Sequence, residues 1–225
     1  MAATLITGEY VAGAGSKTTT GVDTTGADFL LVVISYWSQS NTLSDSKSNS
    51  WNWRTIYGAT NAFVKIGYVY NPNVGSGHTF SANADFGCIF FYAFSGMDIT
   101  SAVYDTENGA NEATNTGSIT PNVTGELLVT AFCGGTASGN TSTVSGGFVI
   151  EDLTPYDGGV NPGGGVAFDN VYDSTDAVSC DWTDVAVANN ALTIAAFKLA
   201  SAGSTLLIDI GMDEATYQGT GVRVR

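Results

Sequence analysis

The chain has 225 residues, 44% hydrophobic and only 12% charged, which suits a sizeable folded core and rules out a disordered, solvating segment. Acidic residues outnumber basic ones by 21 to 7, giving a formal net charge of -14, and two of those cations, Arg223 and Arg225, stand at the C-terminus. A body this acidic lacks the basic face that nucleic acid or an anionic membrane surface demands, so neither partner is expected.

Glycine, threonine, valine and aromatic residues are plentiful while Lys, Glu, Arg and Gln are scarce, the balance of pleated strands joined by tight turns. An all-β fold follows, with helix a minor component. The opening stretch MAATLITGEYVAGAG has no basic segment leading into an apolar one, and no apolar run approaches the roughly 18 residues of a membrane span. Synthesis in a host cytoplasm without a signal peptide is therefore expected. The glycosylation-type triplets at Asn122 and Asn140 then have no secretory context. Cys88, Cys133 and Cys180 lie in or beside strand-like segments with no short Cys-x-x-Cys spacing, and read as buried free thiols.

In chain order, apolar segments near Phe29 to Trp37, Trp51 to Tyr57, Phe63 to Asn71 and Cys88 to Phe94 read as strands, separated by turn clusters such as NPNVGSG. A second set follows near Leu127 to Cys133, Gly147 to Leu153, Gly165 to Tyr172 and Ala191 to Leu199. The two sets echo each other. TTGADFLLVV returns as VTGELLVT, GYVYN as DNVYD, and CIFFYAFSG as LTIAAFKLA, each about 100 residues later and in the same order. Matched sets suggest a double-sheet β-sandwich of jelly-roll type, one unit over residues 1–200 with half-repeats at about 17–96 and 116–200. The runs FLLVVI and IFFYAF are apolar on both alternating faces, so they need cover on both sides or a neighbouring subunit.

Residues 201–225 have no counterpart in the first half. STLLIDI has strand chemistry and GTGVRVR alternates Val with Arg, so this C-terminal arm is expected to dock by strand addition, through Leu206, Leu207, Ile208, Ile210, Arg223 and Arg225. Its competitor is a frayed tail.

Groups for chemistry are few. The lone histidine, His78, sits in the turn-like GSGHTF and reads more readily as an exposed turn residue than as a general base, and the chain has no Gly-x-Ser-x-Gly elbow. Asp45, Glu107, Glu112, Glu126, Glu151 and Asp152 are carboxylates of the kind glycoside hydrolysis uses, but nothing selects one pair, and Glu126 marks a strand entry. The acidic stretch DNVYDSTDAVSCDWTD offers Asp169, Asp173 and Asp176 as weak cation ligands; without EF-hand spacing it reads first as a solvated edge. No metal or other cofactor is expected.

Trp51 and Trp53 share one face of a strand, with Asn52 and Arg54 on the other. The indole face is expected to be the inner one, because the reverse would leave Arg54 in the core without a carboxylate. The competing reading makes these rings a carbohydrate-stacking platform with Trp37 and Tyr57, helped by the polar groups of Asn41, Asp45 and Asn49.

The segments GADFLLVV, LSDSKSNSW, FYAFSG and GELLVT resemble the recurring pattern of a jelly-roll β-sandwich module of tailed-phage virion proteins, in head decoration or tail parts, also found on bacterial surface proteins. The resemblance covers roughly residues 17–200 and implies a structural or attachment role without catalysis. The expectation is a non-enzymatic capsid decoration or cement protein located on the virion, partnered by other copies of itself, a trimer among the forms expected, and by a capsid protein. The alternative is a carbohydrate- or receptor-binding module of tail-tip or adhesin type.

Overall fold

A computed structural model describes residues 2–37, 42–135, 141–158, 162–183, 185 and 188–201. Asn41 and the whole arm from Leu206 to Arg225 lie outside the described residues, so the roles expected of them are not addressed by the fold.

All regular structure among the described residues is β. The first sheet contains β1 (Thr4–Thr18), β2 (Phe29–Tyr36), β3 (Thr42–Asp45), β4 (Asn52–Trp53), β5 (Tyr57–Ala59), β6 (Ala62–Tyr70) and β7 (Phe80–Ser95). The second contains β8 (Tyr104–Asn111), β9 (Glu126–Gly134), β10 (Val149–Thr154), β11 (Gly163–Tyr172) and β12 (Asn190–Lys198). Every strand pairing is antiparallel.

The first sheet has the order β1-β7-β2-β6-β4, with β3 added on β7 and β5 on β6; the second, read from its β8 edge, runs β8-β12-β9-β11-β10. These are the same order, position for position. The strands also meet across the interface in exchanged pairs, β7 with β11 and β6 with β12, while β2 packs on β9. The two halves are thus related by a pseudo-twofold arrangement, with β2 and β9 at its centre. Each half of the chain keeps to one sheet. The fold is a β-sandwich; the jelly-roll order does not follow from this pairing.

Three strands lie outside the expected segments: the short β3, and β1 and β8, which occupy the same edge position in their respective sheets. Each half therefore has an additional strand ahead of the four expected. β1 is rich in Gly, Ala and Thr, so its place is set by backbone pairing with β7 rather than by an apolar face.

The inter-sheet core takes alternate residues from both sheets, among them Phe29, Leu31, Val33, Phe90, Phe94, Val129, Phe168 and Phe197. The opposite faces are covered too. On the first sheet, Leu30, Val32, Ile34, Tyr36, Ile89 and Phe91 lie beneath side chains that include Leu43, Trp51 and Trp53. On the second, Leu128, Phe132, Leu192 and Ile194 lie beneath Ile119, Phe148, Val178 and Trp182. Trp182 is fully buried and its indole N–H donates to Thr130 Oγ1 at 3.0 Å. The doubly apolar strands thus find cover within their own chain, and their sequence alone does not require a neighbouring subunit. The three cysteines are free and buried, and burial raises the Cys180 thiol to about 11.

Candidate functional site

Asn49, Trp51 and His78, all singled out in the first half, meet around Asp45 at the end of β3. Its carboxylate accepts the backbone N–H of Lys47 at 2.9 Å, the Asn49 backbone N–H at 3.1 Å, the Asn49 side-chain N–H at 3.0 Å and the Trp51 indole N–H at 3.0 Å. A tight turn after Asp45, with Ser48 at φ 60, brings these donors round to it. The remaining partner is His78 Nε2, 2.9 Å away, and both side chains are 0% exposed.

On its other side, His78 Nδ1 lies 3.0 Å from the Thr24 hydroxyl. With Asp45 accepting, Nε2 carries the proton, so Nδ1 is an acceptor for the Thr24 hydroxyl, whose single proton also has the Gly75 carbonyl within reach at 3.2 Å. Thr24 Oγ1 in turn receives the Gly75 N–H at 3.0 Å. Burial lowers the pKa of His78, against the opposing pull of Asp45, and keeps the ring neutral.

A hydroxyl, an imidazole and a carboxylate in series have the connectivity of a nucleophilic triad. Here, however, Thr24 and His78 are 0% exposed, and Phe80 packs against the imidazole at 4.2 Å between centroids. No substrate reaches the hydroxyl. The series instead ties together three loops, those carrying Thr24, Asp45–Trp51 and Gly75–His78. The expectation that His78 is an exposed turn residue is corrected. A turn-like context around a histidine says nothing about a carboxylate 33 positions earlier that buries it.

The tryptophans are corrected in the same way. They do share a face, but it is the outer face of the first sheet rather than the inter-sheet core. Trp51 packs edge-on to Phe80 at 6.2 Å, and Trp53 lies against Gly67 with the Lys65 ammonium 3.8 Å from its ring centroid. Arg54, on the opposite side, does find a carboxylate: Nε and Nη2 each donate to Glu107 of β8 at 3.2 Å. The guanidinium also covers the Tyr104 ring at 3.6 Å. Trp37 is elsewhere, against Phe86 and Tyr156, and Tyr57 packs over Gly109 of the second sheet. Trp37, Trp51, Trp53 and Tyr57 therefore do not converge into one stacking platform.

The other carboxylates are scattered. Asp152 accepts the Tyr92 hydroxyl at 2.7 Å, Glu112 is exposed at a turn with φ 53, and Glu151 is exposed on β10. Glu126 is different: it is 0% exposed, and neither carboxyl oxygen has a partner when the group is ionised. Burial and the neighbouring Asp105 raise it to about 8, so it is protonated at neutral pH and can donate to Asp105. Asp105 is held below the usual carboxylate range despite its burial, by hydrogen bonds from Asn122 and by Lys198 at 3.5 Å. Asp169, Asp173 and Asp176 form no chelating set; among the described residues no group of three or more His, Cys, Asp or Glu side chains could hold a metal ion.

Beside the Asp45 hub, the surface forms a depression of about 410 Å3 lined by Asn, Ser and Tyr side chains from the turns after β3 and β6. Sequence reading placed polar groups at this loop but did not pair it with residues 71–73. Comparison with known proteins gives no match to a family model, to a curated protein or to a solved structure.

Proposed function

We propose that the protein is a non-enzymatic structural component of a virus particle, a bacteriophage capsid decoration or cement protein that self-associates and docks on a neighbouring virion protein. What supports this reading is the free edge of β1. This strand runs 15 residues and pairs on one side with β7; among the described residues nothing pairs with its other side. An edge of that length is a template for strand addition. Natural edges are commonly blunted with charge, and β10 follows that rule with Glu151 and Asp152. β1 carries only Glu9 and Lys17, and Lys17 is buried. Its exposed positions include Thr4, Tyr10, Ala12, Ala14, Ser16 and Thr18, a neutral strip on a chain of charge -14. Such a strip lets acidic molecules meet without bringing like charges into contact.

The burial of Thr24, His78 and Asp45 supports the non-enzymatic part of the reading, because it gives the most reactive-looking constellation a fastening role. The jelly-roll assignment belongs with this proposal and is supported by the sandwich architecture and the phage-like segments of the sequence.

The test is native mass measurement of the full chain, with electron microscopy of phage particles that contain it. An oligomer that dissociates in Ala12→Lys with unchanged circular dichroism, together with density for the protein on the particle surface, is expected. A monomer at micromolar concentration that is absent from particles sinks the proposal.

A further inference from the structure

We infer that the depression beside the Asp45–His78 hub is a binding site for a neutral saccharide. Four observations carry this. First, the wall is polar and uncharged: it is built mainly of Ser48, Ser50, Asn52, Tyr70, Asn71 and Asn73, with no Asp, Glu, Lys or Arg. An ionic ligand finds no counter-charge there, and an apolar one finds little beyond the ring of Tyr70 and Val69.

Second, the frame is held before any ligand arrives. Asn49 and Asn73 join the two turns reciprocally, Asn73 N–H donating to Asn49 Oδ1 at 2.7 Å and Asn49 Nδ2 donating to Asn73 O at 3.0 Å. Asp45 fixes Asn49 from below through its backbone and side-chain N–H groups. A preformed site loses less ordering entropy on binding.

Third, the groups facing out are unspent. The Ser48 and Ser50 hydroxyls and the Asn71 amide make no side-chain hydrogen bond among the described residues, and Asn52 uses one N–H on Tyr68 O at 3.4 Å, leaving its carbonyl oxygen free. Amides and hydroxyls, each able to donate and accept, match the adjacent hydroxyls of a sugar ring. The half-exposed Tyr70 ring can cover the ring's C–H face.

Fourth, Asn71 holds a left-handed backbone with φ 49, which turns the chain immediately after β6 and aims residues 71–73 at the opposite wall. The net charge of -14 disfavours acidic glycans, so the class is a neutral hexose oligosaccharide. The tryptophans beneath are committed to packing; the contact surface is the amide wall beside them.

The experiment is an NMR titration of the full isotope-labelled chain with neutral gluco-, galacto- and manno-oligosaccharides. At least one series gives saturable shifts confined to residues 48–52 and 69–73. Asn71→Gly, which keeps the left-handed turn and deletes the amide, weakens that binding by about tenfold or more, and Asn52→Ala does likewise while leaving the remaining spectrum unchanged. Absence of saturable shifts from every sugar overturns the inference, as do shifts centred on the Trp37 indole or binding that Asn71→Gly leaves intact. Because assembly is argued from β1 and this site from the turns after β3 and β6, either can fail alone.

Discussion

Trp53 lies directly on Gly67: a methyl group placed on that glycine would stand 2.7 Å from the indole and 3.0 Å from Val32. The indole covers the outer face of the first sheet only because β6 offers a bare backbone at that point. Gly67→Ala is expected to destabilise the fold by about 1–3 kcal/mol, the usual cost of overpacking. Urea unfolding followed by tryptophan emission checks it, and an unchanged midpoint would show that the ring is free to move aside.

Lys65 sits above the same indole, and burial lowers its pKa to about 8 from 10.5. Below pH 8 the ammonium is charged in both folded and unfolded chains; between about 8 and 10.5 the unfolded chain binds more protons. Stability contributed by this group therefore rises with pH across that window. Lys65→Met removes the rise. A Lys65 side-chain NMR titration with its midpoint near 10.5 would contradict the burial argument.

Glu126 runs the other way. It is neutral in the folded chain up to about pH 8 but ionises near 4.5 when exposed, so its contribution is complete below 4.5 and disappears as pH rises through 8. Glu126→Gln keeps the shape without the charge. The variant is expected to match the parent at pH 4 and exceed it at pH 8.5 by about 1–3 kcal/mol, the cost of a buried polar group left without partners. Denaturant midpoints at the two pH values decide the matter; a gap that does not widen with pH counts against it.

The hub makes a prediction about acid. His78 titrates below its ordinary value of 6.5 because it is buried, so the unfolded chain takes up the proton first and stability falls as pH drops below about 6.5. His78→Gln should flatten that decline. Asp45→Asn, which replaces a carboxylate serving several donors with an amide, should cost about 1.5–3 kcal/mol or more, as expected for hydrogen bonds to a charged group. Thermal unfolding between pH 5 and 8 reads both, and an Asp45→Asn protein as stable as the parent would remove the hub's structural role.

Much of the architecture is readable from one sequence. Residues that face a core must be apolar at fixed spacing, and the echo of FLLVV in ELLVT marks β2 and β9, which hold the same place in their sheets. β1 and β8 escape such reading because an edge strand is held by backbone pairing, and TLITGEYVAGAGSKT or YDTENGAN carries no apolar stripe. The tryptophan face was misassigned for a related reason. Alternation shows that Trp51 and Trp53 lie together, but both sides of this sheet are buried, so polarity could not choose between them. Arg54 found Glu107, a partner 53 positions away in the other sheet, and His78 found Asp45. Pairings of that range leave no local trace.

The exchanged contacts of the two sheets carry a consequence for ancestry. An interface in which β6 of one half meets the counterpart of β7, and β7 the counterpart of β6, is the form a symmetric dimer takes, in which each favourable substitution acts twice. A single half, doubled by gene duplication and joined through the short connection between β7 and β8, yields this sandwich without inventing a new interface. Fusion then frees the two copies to diverge, and here only the first has acquired the histidine.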